Sequence, residues 1–438
     1  MRETFDASPS GERPARQRQT SQERPDQEQP DQEQPDTEPT GHDVERPLPM
    51  AALLALAMTG FTCIVTETLP AGLLPQISEG LGVAPSVAGQ SVTAYAVGSL
   101  VAAIPLTVAT QSWRRRRVLL LSIVGFLVFN TLTAWSSSFV LTLVARFFAG
   151  AAAGLAWSLL AGYARRMVSV AQQGKAMAIA MVGTPVALSL GVPLGTWLGG
   201  AIGWRSAFGT MSALTLVLIA WVLLKVPDFA GQRGAGMPRL GKVLRIPGVL
   251  PVLGVVMAWM VAHNILYTYI APLSRPSGLL PEIGGLLLAF GLAALAGIFI
   301  TGRTVDHALR RSVIASLAAF AATALVLSVA IDRTGVVWVA VVVWGITFGG
   351  AATLLQTALA DAAGDAADLA LSMNVVTWNS AIAGGGLIGG VLLDHLGAVA
   401  FGWVSSGFAV VGLGIALMAR GHGFPAGARH AGRVVVGH

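Results

Sequence analysis

Residues 50–77 read MAALLALAMTGFTCIVTETLPAGLLPQI, and this stretch decides the fold class. Residues 50–65 carry no charge, and they are followed by one carboxylate, Glu67, and two prolines, Pro70 and Pro75. About 20 apolar residues suffice for a helix to cross the hydrocarbon layer, so the stretch predicts a membrane-spanning helix. A charge is costly there and a proline removes a backbone hydrogen bond, which indicates that this helix lines a pathway rather than facing lipid.

The composition extends this interpretation to the whole chain. Of the 438 residues, 54% are hydrophobic and 11% are charged, whereas about 25% are charged in an ordinary soluble protein. The mean hydropathy of +0.68 and the long apolar runs predict an all-α membrane protein in contact with the lipid bilayer. The net charge of +6 resides in the connections between spans, so we expect no nucleic-acid partner.

Several kinds of chemistry are not expected. Cys63 is the only cysteine, which excludes an intramolecular disulfide and a metal site built on thiolates, and no metal site is predicted. The sequence has no Walker-type GK[ST] motif, so ATP is not the expected energy source. It shows no nucleophile–base group either, and we predict neither an enzyme nor a bound cofactor.

The first 47 residues differ from the rest in composition. They hold 12 of the 22 acidic residues and the repeat PDQEQPDQEQPD at residues 25–36. Such a segment lacks the apolar residues needed to build a core, and it has no hydrophobic stretch of the signal-peptide type. We therefore predict that residues 1–47 form a disordered cytoplasmic extension.

Twelve apolar segments follow this tail. A polar stretch at residues 227–248, the predicted cytoplasmic linker, separates an N-terminal bundle at residues 48–226 from a C-terminal bundle at residues 249–420. Residues 421–438 are the predicted cytoplasmic tail. The predicted spans are residues 48–77, 86–110, 118–135, 140–163, 176–202, 207–226, 249–273, 284–302, 313–332, 336–360, 369–393 and 399–418.

Lysine and arginine residues predict the orientation. Twelve spans put the two termini on one side, and the connections and tails of that side carry 24 of the 28 cations. The opposite connections carry only Arg205, Arg275 and Arg333, and Arg146 lies inside a span. Because cytoplasmic loops are enriched in these residues, we predict a multi-pass protein of the inner (cytoplasmic) membrane with both termini cytoplasmic.

The two halves repeat each other weakly at matching places. The second and third spans of each half are joined by a basic loop, SWRRRRV at residues 112–118 and GRTVDHALRR at residues 302–311. The fifth span of each half carries glycines four residues apart, namely Gly191, Gly195 and Gly199, and Gly385 and Gly389. This spacing puts the glycines on one helix face, where they serve either plain close packing or a change in packing.

Together with further segments, these motifs make the chain resemble the major facilitator superfamily. Within it, the chain is similar to the drug:proton antiporter branch near the arabinose and sugar efflux-type permeases. The resemblance covers residues 49–418 and rests on TETLPAGLLPQI (66–77), AGQSVTAYAVG (88–98), ARFFAGAAAG (145–154), GVPLGTWLGGAIGWRSAF (191–208) and GRTVDHALRR. It implies twelve helices in two pseudo-symmetric six-helix bundles and a proton-coupled exporter that works by alternating access.

Residues for the conformational change follow in part from this resemblance. The first basic loop lacks the glycine and the aspartate that the family has there, which argues against a symmetrical latch on the cytoplasmic side. The expected gating residues are Pro70 and Pro75 in the first span, Gly191, Pro193 and Gly195 in the fifth span, and Gly302, Arg303, Asp306 and Arg310 in the second basic loop.

Glu67 and Arg146 are the acid and the base that lie well inside spans. At a rise of about 1.5 Å per residue, each lies roughly 12–16 Å from the outer end of its helix, so their depths match. In one interpretation Glu67 carries the coupled proton, because exposure to water and the distance to Arg146 both set its proton affinity. In the other interpretation, the two residues form a static ion pair that fixes helix packing.

Polar and aromatic residues in the spans are the candidate substrate ligands, because an aromatic cavity with a few amides suits a moderately apolar solute. In the seventh span, HNILYTY puts His263 and Tyr267 on one face. His263 is a candidate for a second proton site or for a packing residue. The candidate ligands are Gln90, Tyr95, Trp157, His263, Asn264, Tyr267, Trp344, Gln356, Trp378 and Asn379.

The predicted function is proton-coupled efflux of a small, moderately apolar solute, such as a drug, a sugar or a metabolite. Two alternatives remain open, namely proton-coupled uptake of a solute and a membrane receptor or scaffold that does not transport. The antiporter-type fifth span favours export by resemblance, and neither tail has the sequence of the structured soluble domain expected of a receptor.

Overall fold

The computed structural model describes residues 47–169, 172–231 and 240–427. Within these ranges every regular element is a helix, which confirms the all-α class expected from hydropathy. Residues 1–46 of the predicted disordered tail (residues 1–47) lie outside the described residues, as do parts of the predicted linker and of the predicted C-terminal tail.

The helices before residue 232 are called the first half, and those after residue 239 the second half. The first half contains α1 (Met50–Gly72), α2 (Leu74–Leu81), α3 (Pro85–Thr110), α4 (Arg115–Trp135), α5 (Phe139–Arg166), α6 (Gln173–Met181), α7 (Gly183–Val186), a π-helical turn (Ala187–Gly191), α8 (Val192–Ile202) and α9 (Trp204–Lys225). The second half contains α10 (Leu240–Leu244), α11 (Val249–Thr268), α12 (Ile270–Ser274), α13 (Ile283–Val329), α14 (Thr334–Gly349), α15 (Ala351–Ala363), α16 (Ala367–His395) and α17 (Val399–Met418). Short 3₁₀ turns lie at Leu280–Glu282 and Gly364–Ala366.

The described part of the chain has eleven helical segments that are long and apolar enough to cross a membrane. One of them, Leu280–Val329, contains 50 residues, and at about 1.5 Å per residue it is far longer than one crossing requires. Its backbone leaves helical geometry at Ala308 (φ −144°, ψ 32°), so α13 provides two crossings. The resulting twelve crossings confirm the predicted fold class. Four of the crossings consist of more than one helix, namely α1–α2, α6–α8, α11–α12 and α14–α15.

The two ends of the bundle differ in charge. We call the end at which α1 begins the basic end, and the other the opposite end. Among the described residues, the basic end carries Arg114, Arg115, Arg116, Arg117, Arg165, Arg166, Lys175, Lys225, Lys242, Arg245, Arg303, Arg310, Arg311 and Arg420. The opposite end carries Arg205, Arg275 and Arg333.

The first crossing of each half is broken near the opposite end. α1 and α2 meet at Leu73, whose backbone is not helical (φ −109°, ψ 13°). α11 and α12 meet at Tyr269, which is similar (φ −111°, ψ 30°). A proline follows each break, Pro75 or Pro272, and proline has no N–H with which to continue the hydrogen-bond ladder. The same local chemistry therefore bends both crossings.

Glycines of the fifth crossing of each half pack along the first crossing of the same half. A Cβ added to Gly195 would lie 2.7 Å from Leu69 Cδ1, and one added to Gly389 would lie 2.6 Å from the ring of Tyr269. Side chains at these positions would push the helices apart, so glycine permits the close approach. The same packing therefore recurs in both halves.

At the basic end, the segment that follows α9 is bound to the loop between α3 and α4. Arg114 Nε donates a 2.5 Å hydrogen bond to Asp228 Oδ2, and the Arg116 N–H donates a 3.1 Å bond to Oδ1. Partial burial acts to raise the pKa of Asp228, but these hydrogen bonds lower it below its usual value. Asp228 thus supplies an acid to the basic loop that lacks one in its own sequence.

We expect Asp228→Asn to lower the melting temperature of the purified protein by a few degrees, since a partly exposed ion pair contributes about 1 kcal/mol. Because the pKa of Asp228 is lowered in the fold, this contribution is present above the ordinary aspartate pKa of about 4. It is lost as the pH falls through the lower, folded value. Thermal unfolding of parent and variant over a pH series measures the difference.

Asp365→Asn is the matched control, because Asp365 is an exposed acid at the same end of the bundle. Its replacement should leave the melting temperature unchanged throughout the pH series. A difference between parent and Asp228→Asn that stays constant into strong acid would contradict the role assigned to the charged pair.

Candidate functional site

Arg146 is fully buried in α5, and each of its three guanidinium nitrogens donates to a main-chain carbonyl. Nε donates to Ser91 O at 3.2 Å, Nη1 to Thr66 O at 2.5 Å and Nη2 to Glu67 O at 3.2 Å. The acceptors lie on α3 and α1, so Arg146 joins three crossings. Because a buried charge is costly unless it is hydrogen-bonded, these bonds hold the guanidinium in one place.

Pro70 explains why a carbonyl of α1 is available to Arg146. In a regular helix the carbonyl of Thr66 accepts a hydrogen bond from the N–H four residues later. That residue is Pro70, which has no N–H, so the Thr66 carbonyl lacks the donor that a regular helix supplies four residues later. Arg146 Nη1 provides the missing donor. The proline therefore creates an acceptor that positions the arginine.

Aromatic rings enclose the guanidinium of Arg146. Its central carbon lies 4.7 Å from the ring centroid of Tyr95 and 5.8 Å from that of Phe208, distances at which a cation is attracted to a ring face. The Tyr95 hydroxyl donates to Cys63 O at 2.9 Å. Tyr95 is a candidate substrate ligand by sequence, and the structure buries it fully against Arg146.

The carboxylate of Glu67 is half-buried and does not form an ion pair with Arg146. Arg146 binds the main chain of Glu67 instead, and no residue in the described part of the chain donates a hydrogen bond to the carboxylate. The two charged groups still interact electrostatically. This arrangement permits Glu67 to bind or release a proton while every hydrogen bond of Arg146 stays in place.

A cluster of five aromatic side chains lies where α11, α13 and α14 meet: His263, Tyr267, Phe290, Trp344 and Phe348. His263 stacks on Phe348 with ring centroids 3.5 Å apart, and its Nδ1 accepts a 3.1 Å hydrogen bond from Trp344 Nε1. All five side chains are buried. The structure therefore brings together three candidate ligands, and it holds His263 by both stacking and a hydrogen bond.

The remaining candidate ligands differ in exposure. Asn264 and Asn379 are buried, and each donates to the carbonyl oxygen four residues earlier in its own helix. Trp157 and Trp378 are half-buried, and Gln356 is exposed. The last three retain accessible side-chain surface in this conformation, whereas the two asparagines have donors already bonded within their helices.

Near the opposite end, a network around Tyr269 joins the two halves. The Tyr269 hydroxyl lies 2.8 Å from Gly386 O and 3.2 Å from Ser86 O, and it accepts a 3.3 Å hydrogen bond from Gln90 Nε2. Ser86 and Gln90 belong to α3, whereas Tyr269 and Gly386 belong to the second half. The network ties α3 to α16, and it contains Gln90, a candidate ligand by sequence.

The gating residues expected in the fifth crossing lie at contacts with neighbouring crossings. Gly191 packs against the ring of Phe61 on α1, and Gly195 packs against Leu69. The Pro193 carbonyl faces α13, 3.7 Å from the Cβ position of Gly284. The fifth crossing thus touches the first crossing of its own half and α13 of the other half.

The gating residues expected in the second basic loop lie around the kink of α13. Gly302 and Asp306 are exposed, and the guanidinium carbon of Arg303 lies 3.3 Å from the ring centroid of Phe299. Arg310 caps the end of α17 and binds the segment beyond it, since its guanidinium donates to the carbonyls of Ala416, Leu417 and Phe424.

The sequence does not identify two residues that anchor these networks, Tyr269 and Asp228. Tyr269 closes the HNILYTY motif, and Pro272 signals a helix break beside it, but its partner Gly386 lies 117 residues away. The one sequence signal for Asp228 is the absence of an acid in the first basic loop. In both cases the partner depends on how the helices pack.

Comparison with known proteins identifies the family. The profile of the Major Facilitator Superfamily matches residues 56–386, a range that contains Glu67 and Arg146. The purine ribonucleoside efflux pump NepI of Escherichia coli O6:K15:H31 (strain 536 / UPEC) is 29% identical over 355 residues, which cover 79% of this chain and 88% of that protein. The proteins of the same name from Shigella sonnei (strain Ss046) and Escherichia coli (strain K12 / MC4100 / BW2952) are 28% identical with the same coverage. The twelve helical crossings and the matched profile lead to one assignment: the chain belongs to the Major Facilitator Superfamily, as a multi-pass transporter of the efflux type.

Proposed function

We propose that this transporter exports a small, moderately apolar solute in exchange for protons. The observation that carries the proposal is the Glu67 carboxylate, which lies inside a crossing without an ion pair while Arg146 beside it is bonded to main-chain carbonyls. Carboxylates at such depth are usually functional, because their burial is costly. The efflux relatives support the direction of transport.

A purine ribonucleoside is the first solute to test, because the relatives named above are purine ribonucleoside efflux pumps. A flat heterocycle with a polar edge also suits the candidate ligands. The accessible surfaces of Trp157 and Trp378 offer apolar contact, and the exposed amide of Gln356 offers hydrogen bonds. A drug and a sugar complete the panel of test solutes.

In the proposed cycle, proton and solute bind alternately near the middle of the membrane while the two halves move relative to each other. We propose that both termini face the cytoplasm across the cytoplasmic membrane, because the basic end of the bundle carries most of the cations. On this orientation the network around Tyr269 is the closure on the outer side. Uptake of a proton from outside then requires that network to open.

Tyr269→Phe is expected to loosen this closure. The substitution removes the hydroxyl that accepts from Gln90 Nε2 and bonds Gly386 O, while the direct 3.3 Å bond from Gln90 Nε2 to Gly386 O remains. The loss of the hydroxyl raises the free energy of the closed state by about 1 kcal/mol and the population of open molecules about fivefold. Labelling of Ser86→Cys by a membrane-impermeant maleimide, in a chain carrying Cys63→Ala, measures the opening. We expect the labelling rate to rise about fivefold, in proportion to the population of open molecules.

Tyr267→Phe is the matched control, since this tyrosine lies on the same crossing but outside the network. It should leave the labelling rate at Ser86→Cys unchanged. Equal labelling of the parent and of Tyr269→Phe would show that the hydroxyl does not hold the outer side closed.

Reconstitution into vesicles with an imposed pH gradient tests the proposed function. Export coupled to protons predicts that each transported solute moves against the direction of proton flow. Solute movement in the same direction as protons would favour coupled uptake, and the absence of flux for the whole panel would favour a receptor or scaffold. Flux that does not respond to the gradient would refute proton coupling.

A further inference from the structure

A groove at the basic end lies between the start of α11 and the end of α17. It encloses about 560 Å³ and is lined by the segment before α11 and the segment after α17. The charged lining residues are Arg245 and Arg420, His422 also lines the groove, and none of the twelve lining residues is acidic. The groove is therefore a cationic site without an internal counter-ion.

The side chains of Arg245, Arg420 and His422 are exposed. None of them makes a hydrogen bond or an ion pair with another residue in the described ranges. Arg310 nearby differs, because its guanidinium is occupied by carbonyls of α17 and of Phe424. The groove thus brings together two guanidinium groups that have no counter-ion among the described residues, and an anion would neutralise them.

The wall of the groove is fixed by packing. Phe424 is fully buried, and Arg310 binds its carbonyl at 2.9 Å. Gly248 and Gly423 have positive φ angles of 96° and 99°, and a Cβ on Gly248 would lie 2.5 Å from Gly423 N. The segment after α17 is therefore held against the start of α11.

Apolar side chains continue the groove away from the charges. Leu250 on the first turn of α11 is 61% exposed, and Met418 at the end of α17 is 78% exposed. Both lie at helix ends that border the hydrocarbon layer in a twelve-crossing protein. A ligand that fills this groove therefore has an anionic part beside Arg245 and Arg420 and an apolar part along Leu250 and Met418.

We propose that this groove binds the headgroup phosphate of an anionic phospholipid, with the acyl chains along Leu250 and Met418. A free phosphate would use the cations but leave the apolar surface uncovered. A zwitterionic lipid carries an ammonium or choline group for which the lining offers no carboxylate. A lipid with net negative charge matches both parts of the groove.

Lipid titration of the purified full-length chain in neutral detergent tests this site. The rise in melting temperature is followed against phosphatidylglycerol, phosphatidylcholine and inorganic phosphate, and native mass spectrometry counts the bound lipids. We expect a saturable rise with phosphatidylglycerol alone. Arg245→Gln combined with Arg420→Gln should raise the half-saturating lipid concentration about thirtyfold, because each cation near the surface contributes on the order of 1 kcal/mol, a factor of about five.

Arg165→Gln combined with Lys225→Gln is the matched control, since it removes two exposed cations from the same end of the bundle outside the groove. It should leave the lipid affinity unchanged. If the first double variant unfolds in detergent, Arg420→Gln alone is titrated, with about a fivefold weakening expected. Equal affinity in parent and groove variant, equal losses in groove and control variants, or the same response to phosphatidylcholine or inorganic phosphate would overturn the proposal.

Discussion

Glu67→Gln is expected to abolish proton-driven transport while leaving insertion and folding intact. Glutamine keeps the shape and polarity of the side chain but cannot bind and release a proton. The Glu67 carboxylate forms no ion pair with Arg146, and Arg146 binds only the main chain of residue 67, which the substitution retains. In vesicles, transport driven by a pH gradient should fall to the level of empty liposomes, whereas exchange driven by a solute gradient should persist.

Glu79→Gln is the matched control for this experiment. Glu79 is an exposed acid near the end of α2, in the same crossing as Glu67. Its replacement removes an equal charge and should leave driven transport unchanged. Undiminished pH-driven transport by Glu67→Gln would remove this carboxylate from the mechanism, and a large fall in its melting temperature would assign it a structural role instead.

Arg146→Lys is expected to reduce both stability and driven transport strongly, although it keeps the positive charge. A lysine ammonium lacks the planar fork of arginine and cannot reach Ser91, Thr66 and Glu67 together. A buried carbonyl that loses its partner costs about 1–3 kcal/mol. The melting temperature and the rate of pH-driven transport measure the two effects on the same preparation.

Arg205→Lys provides the comparison for Arg146→Lys. Arg205 also donates to main-chain carbonyls and stacks over Trp204, but it lies half-exposed at the opposite end of the bundle. Water can replace its partners, so we expect little change in either measurement. Equal effects of the two substitutions would show that the buried network of Arg146 has no special importance.

A double-mutant cycle tests the link between Pro70 and Arg146. Pro70→Ala restores an N–H that can bond Thr66 O within the helix and compete with Arg146 Nη1. The stability lost in the combined variant with Arg146→Lys should therefore be smaller than the sum of the two single losses. Strict additivity would show that the proline does not create the acceptor for the arginine.

Hydropathy was sufficient to predict the all-α membrane class and the spans, because each crossing must satisfy its own backbone hydrogen bonds and bury an apolar surface. The twelve predicted spans correspond to the twelve crossings, including the two that run together in α13 around Ala308. The break of the first crossing follows from Pro70 and Pro75, and the structure locates it at Leu73 between them.

The candidate site was only partly predictable. Charges within otherwise apolar segments identify Glu67 and Arg146. Whether Arg146 binds the Glu67 carboxylate or a main-chain carbonyl depends on how the helices are rotated about their axes. The missing N–H of Pro70 is the local feature that bears on this choice. Tyr269 and Asp228 act through partners 117 and 114 residues away, and no local pattern encodes such contacts.

Glu67 is the only acid that lies deep inside a crossing in the described ranges, and this has an electrical consequence. If one proton enters for each uncharged solute that leaves, every cycle carries one positive charge inward. A membrane voltage of about 100 mV, negative inside, then adds about 2.3 kcal/mol to the driving force. Export of a neutral molecule would therefore continue at equal pH on both sides, whereas export of a monovalent cation would be electroneutral and insensitive to voltage.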